Sequence, residues 1–295
     1  TLSVMKHRKL MVVALLLGLV LPAWSPPAKP EKPPLSQYLR FQKGKAEDAL
    51  QVAITSFKDP KTNVQVDLVG VIHIGDQGYY RKLNKLFEEY DAVLYEMVGD
   101  PKRLKQKPDP RRKESSVSTI QRWMKDVLEL EFQLDHINYR RDHFIHADMK
   151  PREFDKAMKD RGESLLQLMW KMMQQDMARQ RRGERVPQIS PLELFAAFFS
   201  PNRGLEMKRL LARNMGELEA TMNALEAGDG TVIITERNKV AIKVLRKSLE
   251  TPANKRLAIF YGAGHMPDLE QRLLTEFGMK KGKTTWLTAW NLPKK

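Results

Sequence analysis

Val64–His73 (VQVDLVGVIH) and Arg256–His265 (RLAIFYGAGH) share one layout, an apolar run of strand length that ends in Gly-x-x-His. Short apolar runs rich in Val, Ile and Phe read as buried strands. After the first run, Asp76–Glu89 sets Tyr80, Leu83, Leu86 and Phe87 at helical spacing, with Asp76 as N-cap. Ala92–Met97 (AVLYEM) then reads as a strand. After the second run, Pro267–Phe277 reads as a helix and Thr284–Trp290 (TTWLTAW) as a strand. Leu50–Phe57 and Phe144–Met149 add two more strand-like runs, while Ser115–Arg141 and most of Pro151–Leu249 have helical periodicity. The pattern predicts an α/β fold. Two similar strand–GxxH–helix–strand halves form a central sheet flanked by helices, with a helical middle insertion over about residues 115–250.

Gly-x-x-His at a strand end has a chemical use. Gly70 and Gly262 permit a tight turn or a close backbone approach, and His73 and His265 are presented at the sheet edge where α/β proteins bind ligands. A single His at a strand end is commonly structural, so it is the duplication that points to a site. Glu96 interrupts the apolar run AVLY-E-MV, and a carboxylate buried there needs a cation or a metal. Two histidines and one carboxylate suit zinc, manganese, iron or cobalt and leave positions open for water. Arg237, in Thr235-Glu236-Arg237-Asn238 on the helix Thr231–Leu249, is either a solvated ion pair or a fork for a substrate carboxylate or an oxyanion.

Other features carry less. His143 and His146 with Asp148 (HFIHAD) read as structural, because a strand sends the two imidazoles to opposite faces, and Asp148 is the one placed to reach a site. Met169, Met172, Met173 and Met177 form an apolar helical face expected in the core. No Gly-x-Ser-x-Gly elbow is present, which disfavours an α/β-hydrolase-type serine enzyme.

Composition bounds the rest. The 295 residues hold no cysteine and six histidines, which excludes disulfides, thiolate metal sites and a Cys nucleophile. Lys6, Arg8 and Lys9 precede the apolar run Leu10–Leu21, so residues 1–25 read as a secretory signal. An uncleaved membrane anchor is the alternative, since Pro26 is a poor residue after a cleavage point. Residues 26–37 form a Pro-rich spacer and 38–295 a single domain. The net charge of +15 falls to about +12 without the first 25 residues, suiting an anionic envelope surface reached through basic loops. Lys102–Lys113 and Arg179–Arg185 are those loops, and neither has the interleaved aromatics of a nucleic-acid platform.

Gly70/His73, Glu96 in LYEMV, Arg237 in TERN and Gly262/His265 in YGAGH occur in one order over about Val64–Trp290. In this the chain resembles the TraB/PrgY/GumN-like family, related to the TIKI metalloproteases and the wider erythromycin-esterase/ChaN-like group. The resemblance implies an exported divalent-metal-dependent hydrolase acting on a peptide or protein. His73, Glu96 and His265 would hold the metal and its water, and Arg237 would stabilise negative charge. Glu96 stays open as ligand or general base. The ChaN branch implies haem as an alternative ligand without turnover, and an envelope-associated structural role is the third reading.

Overall fold

The computed structural model describes residues 38–101, 128, 130–184, 189–226 and 229–294. The expected signal, spacer and Lys102–Lys113 run lie outside them, as do residues 115–127 of the helix expected over Ser115–Arg141. Among the described residues a seven-stranded mixed sheet is flanked by helices, as the α/β reading expects. β1 (Leu39–Gln42) and β3 (Gln65–Val71) pair antiparallel with successive parts of β2 (Glu47–Lys58), and β9 (Lys280–Pro293) pairs antiparallel along its length. From β3 the sheet continues through β8 (Arg256–Gly262), β5 (Ala92–Tyr95) and β7 (Phe144–His146), all parallel.

The burial of each strand follows its sequence. β2 alternates buried and partly exposed residues, while β5 and nearly all of β3 and β8 are buried along their length. Continuous apolar runs are what parallel interior strands covered on both faces require. The register sets Val71 opposite Gly262 and Tyr95 opposite Phe260. The ends of β3, β8 and β5 therefore meet at one edge, each carrying its functional residue just past or at the last ladder pair.

α1 (Gln77–Leu86) begins after Asp76, which holds the N-cap position without capping. Its carboxylate instead accepts from the Asn291 N–H at 2.6 Å and pairs with Lys208 at 3.3 Å. The described end of the Ser115–Arg141 segment is not one helix. β6 (Glu131–Phe132) pairs with β4 (Ile74–Gly75), and only a short α2 (Gln133–His136) follows. The Gln133 N–H donates to the His73 carbonyl at 2.9 Å, so pairing with the first Gly-x-x-His segment overrides local periodicity.

The middle is helical, as expected: α3 (Pro151–Asp160), α4 (Leu165–Arg181), α5 (Pro191–Phe198) and α6 (Arg203–Glu226). A π-helical turn (Val232–Glu236) leads into α7 (Arg237–Leu249), and α8 (Met266–Glu276) follows β8. α7 packs against β5, α8 against β3, and α6 against β1.

Two expectations are overturned here. Most of the methionine face is not core: Met169 is 65 % exposed and Met173 and Met177 also face outward, while Met172 is half-buried. Arg179 is not in a solvated loop but lies within α4, buried. The two corrections have one cause. The Arg179 guanidinium bonds Thr221 Oγ1 at 2.8 Å and the carboxylates of Glu184 and Glu217, which pins the Leu168–Arg179 side of α4 onto α6. The methionine side is left outward.

Candidate functional site

Gly262 is the last residue of β8, and a Cβ built there would lie 3.3 Å from Glu96 Oε2, 3.5 Å from His73 Nε2 and 3.7 Å from His265 Cδ2. The missing side chain leaves a cradle bordered by all three residues. Glu96, the first residue past β5, has both oxygens engaged: Oε2 accepts from the Gly262 N–H at 2.6 Å and Oε1 from Arg237 Nη2 at 2.5 Å. Gly70 has a different task. A Cβ there would meet the Ala53 carbonyl of β2 at 3.1 Å, so it allows strand approach rather than bordering the cradle.

Each imidazole is held at Nδ1 by an amide. Asn238 Nδ2 donates to the His265 carbonyl at 3.1 Å and to Asp268 at 2.8 Å, which turns its Oδ1 toward His265 Nδ1 at 2.7 Å. An oxygen there requires a proton on Nδ1, leaving a lone pair on Nε2. That lone pair can accept from Arg237 Nη1 at 3.4 Å, and Glu96 Oε1 lies beside it at 3.5 Å. His73 has the same arrangement: Nδ1 meets Gln133 Oε1 at 2.9 Å, while Gln133 Nε2 donates to Tyr139 Oη at 2.6 Å. His265 is buried and His73 exposed.

Arg237 is not a solvated residue. It is 8 % exposed and donates from Nε and Nη2 to both oxygens of Asp148 (3.0 and 2.6 Å), from Nη2 to Glu96, and from Nη1 to the Ile233 carbonyl of the π turn (3.2 Å). A π-helical turn widens the helix at the point where this guanidinium enters the core. Glu236, its neighbour, carries the solvated ion pairs instead, with Arg161 and Lys239.

The electrostatics follow from burial and pairing. Burial opposes a charged Glu96, yet His265, Arg237, His73 and the Gly262 N–H hold its carboxyl down at about 2. Burial, aided by Arg237 and opposed by the carboxylates, pushes His265 down to about 4, so its imidazole is neutral at pH 7. Burial also works against the Arg237 charge, but its bonds to Asp148 and Glu96 raise its pKa above the usual arginine value. The Glu96 and Asp148 carboxylates share the one Arg237 guanidinium.

The cluster opens into a cavity of about 350 Å³ lined by His73, Glu96, Met97, Phe132, Gln133 and Arg237. A larger groove of about 950 Å³ runs beside α4, but its lining has no imidazole, and its Arg161 is paired with Glu163. His143 and His146 stay apart from the cluster, each bonded to a main-chain carbonyl, of Phe87 (3.0 Å) and Met97 (2.7 Å). Asp148 reaches the cluster through Arg237. Gln133 and Asn238 were not legible as site residues. Asn238 had the one available signal, its place beside Arg237 on a helix start, and an isolated glutamine has none.

As donors, two imidazoles with lone pairs at Nε2, an ionised carboxylate and a glycine cradle fit a divalent metal. In the arrangement seen, Glu96 is turned to Arg237 and Gly262. Among the described residues no group of three or more His, Asp and Glu side chains is set to hold a metal ion. Compared with family models, curated proteins and solved structures, the chain matches none of them.

Proposed function

We propose that the chain is a divalent-metal-dependent hydrolase of the TraB/PrgY/GumN-like kind, acting on peptide bonds in the secreted or cell-envelope compartment to which residues 1–25 direct it. In this reading the segments from β3 to β5 and from β8 to β9 are two similar halves, each delivering one imidazole. The observation that carries it is the meeting of His73 Nε2, Glu96 Oε2 and His265 around the Cβ-less face of Gly262. His73, His265 and Glu96 would hold the ion, which when bound supplies a water of lowered pKa and a Lewis acid for the carbonyl.

The chain's own residues have separable tasks. Gln133 and Asn238 hold the two imidazoles at Nδ1, with His73 Nε2 turned to the cradle and His265 Nε2 turned to Arg237 and Glu96. Arg237 commits its donors to Asp148, Glu96, Ile233 and His265, so it acts as a positioning residue that keeps Glu96 charged and oriented. Met97, Val98, Phe132 and Leu134 give the cavity an apolar wall beside His73, which suits an apolar side chain of a peptide.

The test is hydrolysis of a mixed peptide library with added manganese, cobalt or zinc, for the full chain, His73→Ala and Gly262→Ala. Wild-type cleavage that falls roughly 100-fold or more in both variants, with circular dichroism unchanged, supports the reading. Cleavage that survives His73→Ala, or a wild type inert with every ion, overturns it.

A further inference from the structure

We infer, resting on the hydrolase reading for the peptide itself, that Asp135 selects the substrate of the His73 cavity, a peptide carrying a cation (an amine or a guanidinium) next to an apolar group. Asp135 lies in α2, two residues past Gln133. The Gln133 N–H donates to the His73 carbonyl, and its Oε1 meets His73 Nδ1 at 2.9 Å. The β4–β6 pairing that brings Gln133 to the imidazole therefore brings Asp135 to the wall of the same cavity.

The other polar side chains of that wall are committed. Glu96 is buried between the Gly262 N–H and Arg237, and Arg237 is buried among Asp148, Glu96 and the Ile233 carbonyl. Gln133, also buried, has its oxygen at His73 and its nitrogen on Tyr139 Oη. His73 Nε2 is the atom given to the metal. Asp135 is exposed and makes no hydrogen bond or ion pair among the described residues. Its neighbours on the wall are apolar: Leu134 is 56 % exposed, with Met97, Val98 and Phe132 beside it. A carboxylate bordered by carbon attracts a cation more strongly than one in open water, and Lys and Arg bring an apolar stem with the charge.

Asp135 also stands at a border. A second cavity, of about 310 Å³, shares Leu134 and Asp135 with the first and is lined further by His136, Asn138, Tyr139 and Arg140. A peptide running from one cavity into the other passes this carboxylate. The polar groups of the second cavity leave Asp135 open: His136 is bonded to Glu131 at 3.0 Å, and Arg140 forms no ion pair with Asp135. The whole chain carries +15, so a preference for cationic ligands cannot come from its overall field and has to come from a local acid.

The test is titration of the full chain, with metal removed by a chelator, followed in ¹H–¹⁵N spectra. The probes are acetyl-Leu-Lys-Leu amide, with the cation on a side chain, Leu-norleucine-Leu amide, with the cation on its own amine, and neutral acetyl-Leu-norleucine-Leu amide. At low salt one of the cationic peptides should bind roughly fivefold tighter than the neutral one, and which of them does so tells the side-chain cation from the terminal amine. The preference should vanish in Asp135→Asn and turn toward acetyl-Leu-Glu-Leu amide in Asp135→Lys. Equal affinity for the three probes, binding of none of them, or a preference that survives Asp135→Asn overturns the role of Asp135. Because binding is read without metal, the hydrolase reading is judged separately: peptide cleavage with manganese but no cationic preference removes Asp135 and leaves the hydrolase, and a cationic preference without cleavage does the reverse.

Discussion

At the carboxyl edge of the sheet the molecule buries charge, and along α4 and α5 it exposes apolar carbon. Glu96, Asp148, Arg237 and His265 are all nearly closed to solvent, while Met169, Trp170 and Phe199 are each more than half open to it. Both arrangements cost stability relative to the ordinary distribution, the first through desolvation and the second through apolar surface left in water. They differ in how the cost is offset. The buried cluster is closed by its own hydrogen bonds, whereas the outer stripes have no such closure among the described residues. A self-completed cluster suits a preorganised site.

The widest break in this contrast is Arg237→Met, which leaves the Glu96 and Asp148 carboxylates buried without their guanidinium. Loss of one partner from a buried ion pair costs about 3–5 kcal/mol, and thermal denaturation should show a midpoint lower by about 10 °C. A change under about 1 kcal/mol would show that water already reaches the cluster.

Next is the inner side of the helical layer, where burial raises the Glu219 carboxyl to about 8 against the pull of the Tyr38 and Leu39 N–H groups. In the unfolded chain that carboxyl has its ordinary value of 4.5. The unfolded state therefore releases its proton first as pH rises. The contribution is full below about pH 4.5 and is lost up to about pH 8, at up to about 1.4 kcal/mol per unit. Glu219→Gln should flatten the decline by on the order of 3 kcal/mol between pH 5 and 7 in urea titrations. An unchanged slope removes Glu219 as its source.

Asn238→Ala takes away the side chain's hydrogen bonds to the His265 ring, the His265 carbonyl and Asp268, at about 2 kcal/mol or more. Its sharper readout is the ¹⁵N spectrum of His265, protonated at Nδ1 in the wild type and mixed in the variant. A His265 protonated at Nε2 in the wild type contradicts the amide's role. The smallest effect belongs to the outer stripe: Met169→Gln with Phe195→Gln should alter stability by less than about 0.5 kcal/mol while raising solubility. A loss of several kcal/mol there would mean that the face is packed after all.

The sequence was most legible where periodicity and local chemistry agree. The apolar runs ending at Gly70 and Gly262 became the neighbouring strands β3 and β8, and both histidines came to the same edge. The insertion of β8 between β3 and β5 was not legible, since pairing order depends on long-range register rather than on any run. Helical spacing marked Met169, Met173 and Met177 as one face but did not say what lies against it, and the Arg179 network turned it outward. Arg237 was ambiguous for the same reason. Its neighbour Glu236 carries the surface pairs that composition suggests, and one step along the helix Arg237 enters the core. Gln133 is brought to His73 by the β4–β6 pairing, where the helical pattern of Ser115–Arg141 masks the strand.

The most direct test of the central claim is calorimetric titration of the full chain with manganese, cobalt, zinc and ferrous ions, beside His73→Ala/His265→Ala. The account predicts about one equivalent bound by the wild type and none by the variant, with both folded. Equal binding by the two chains, or no binding by the wild type with any of the four ions, would contradict it.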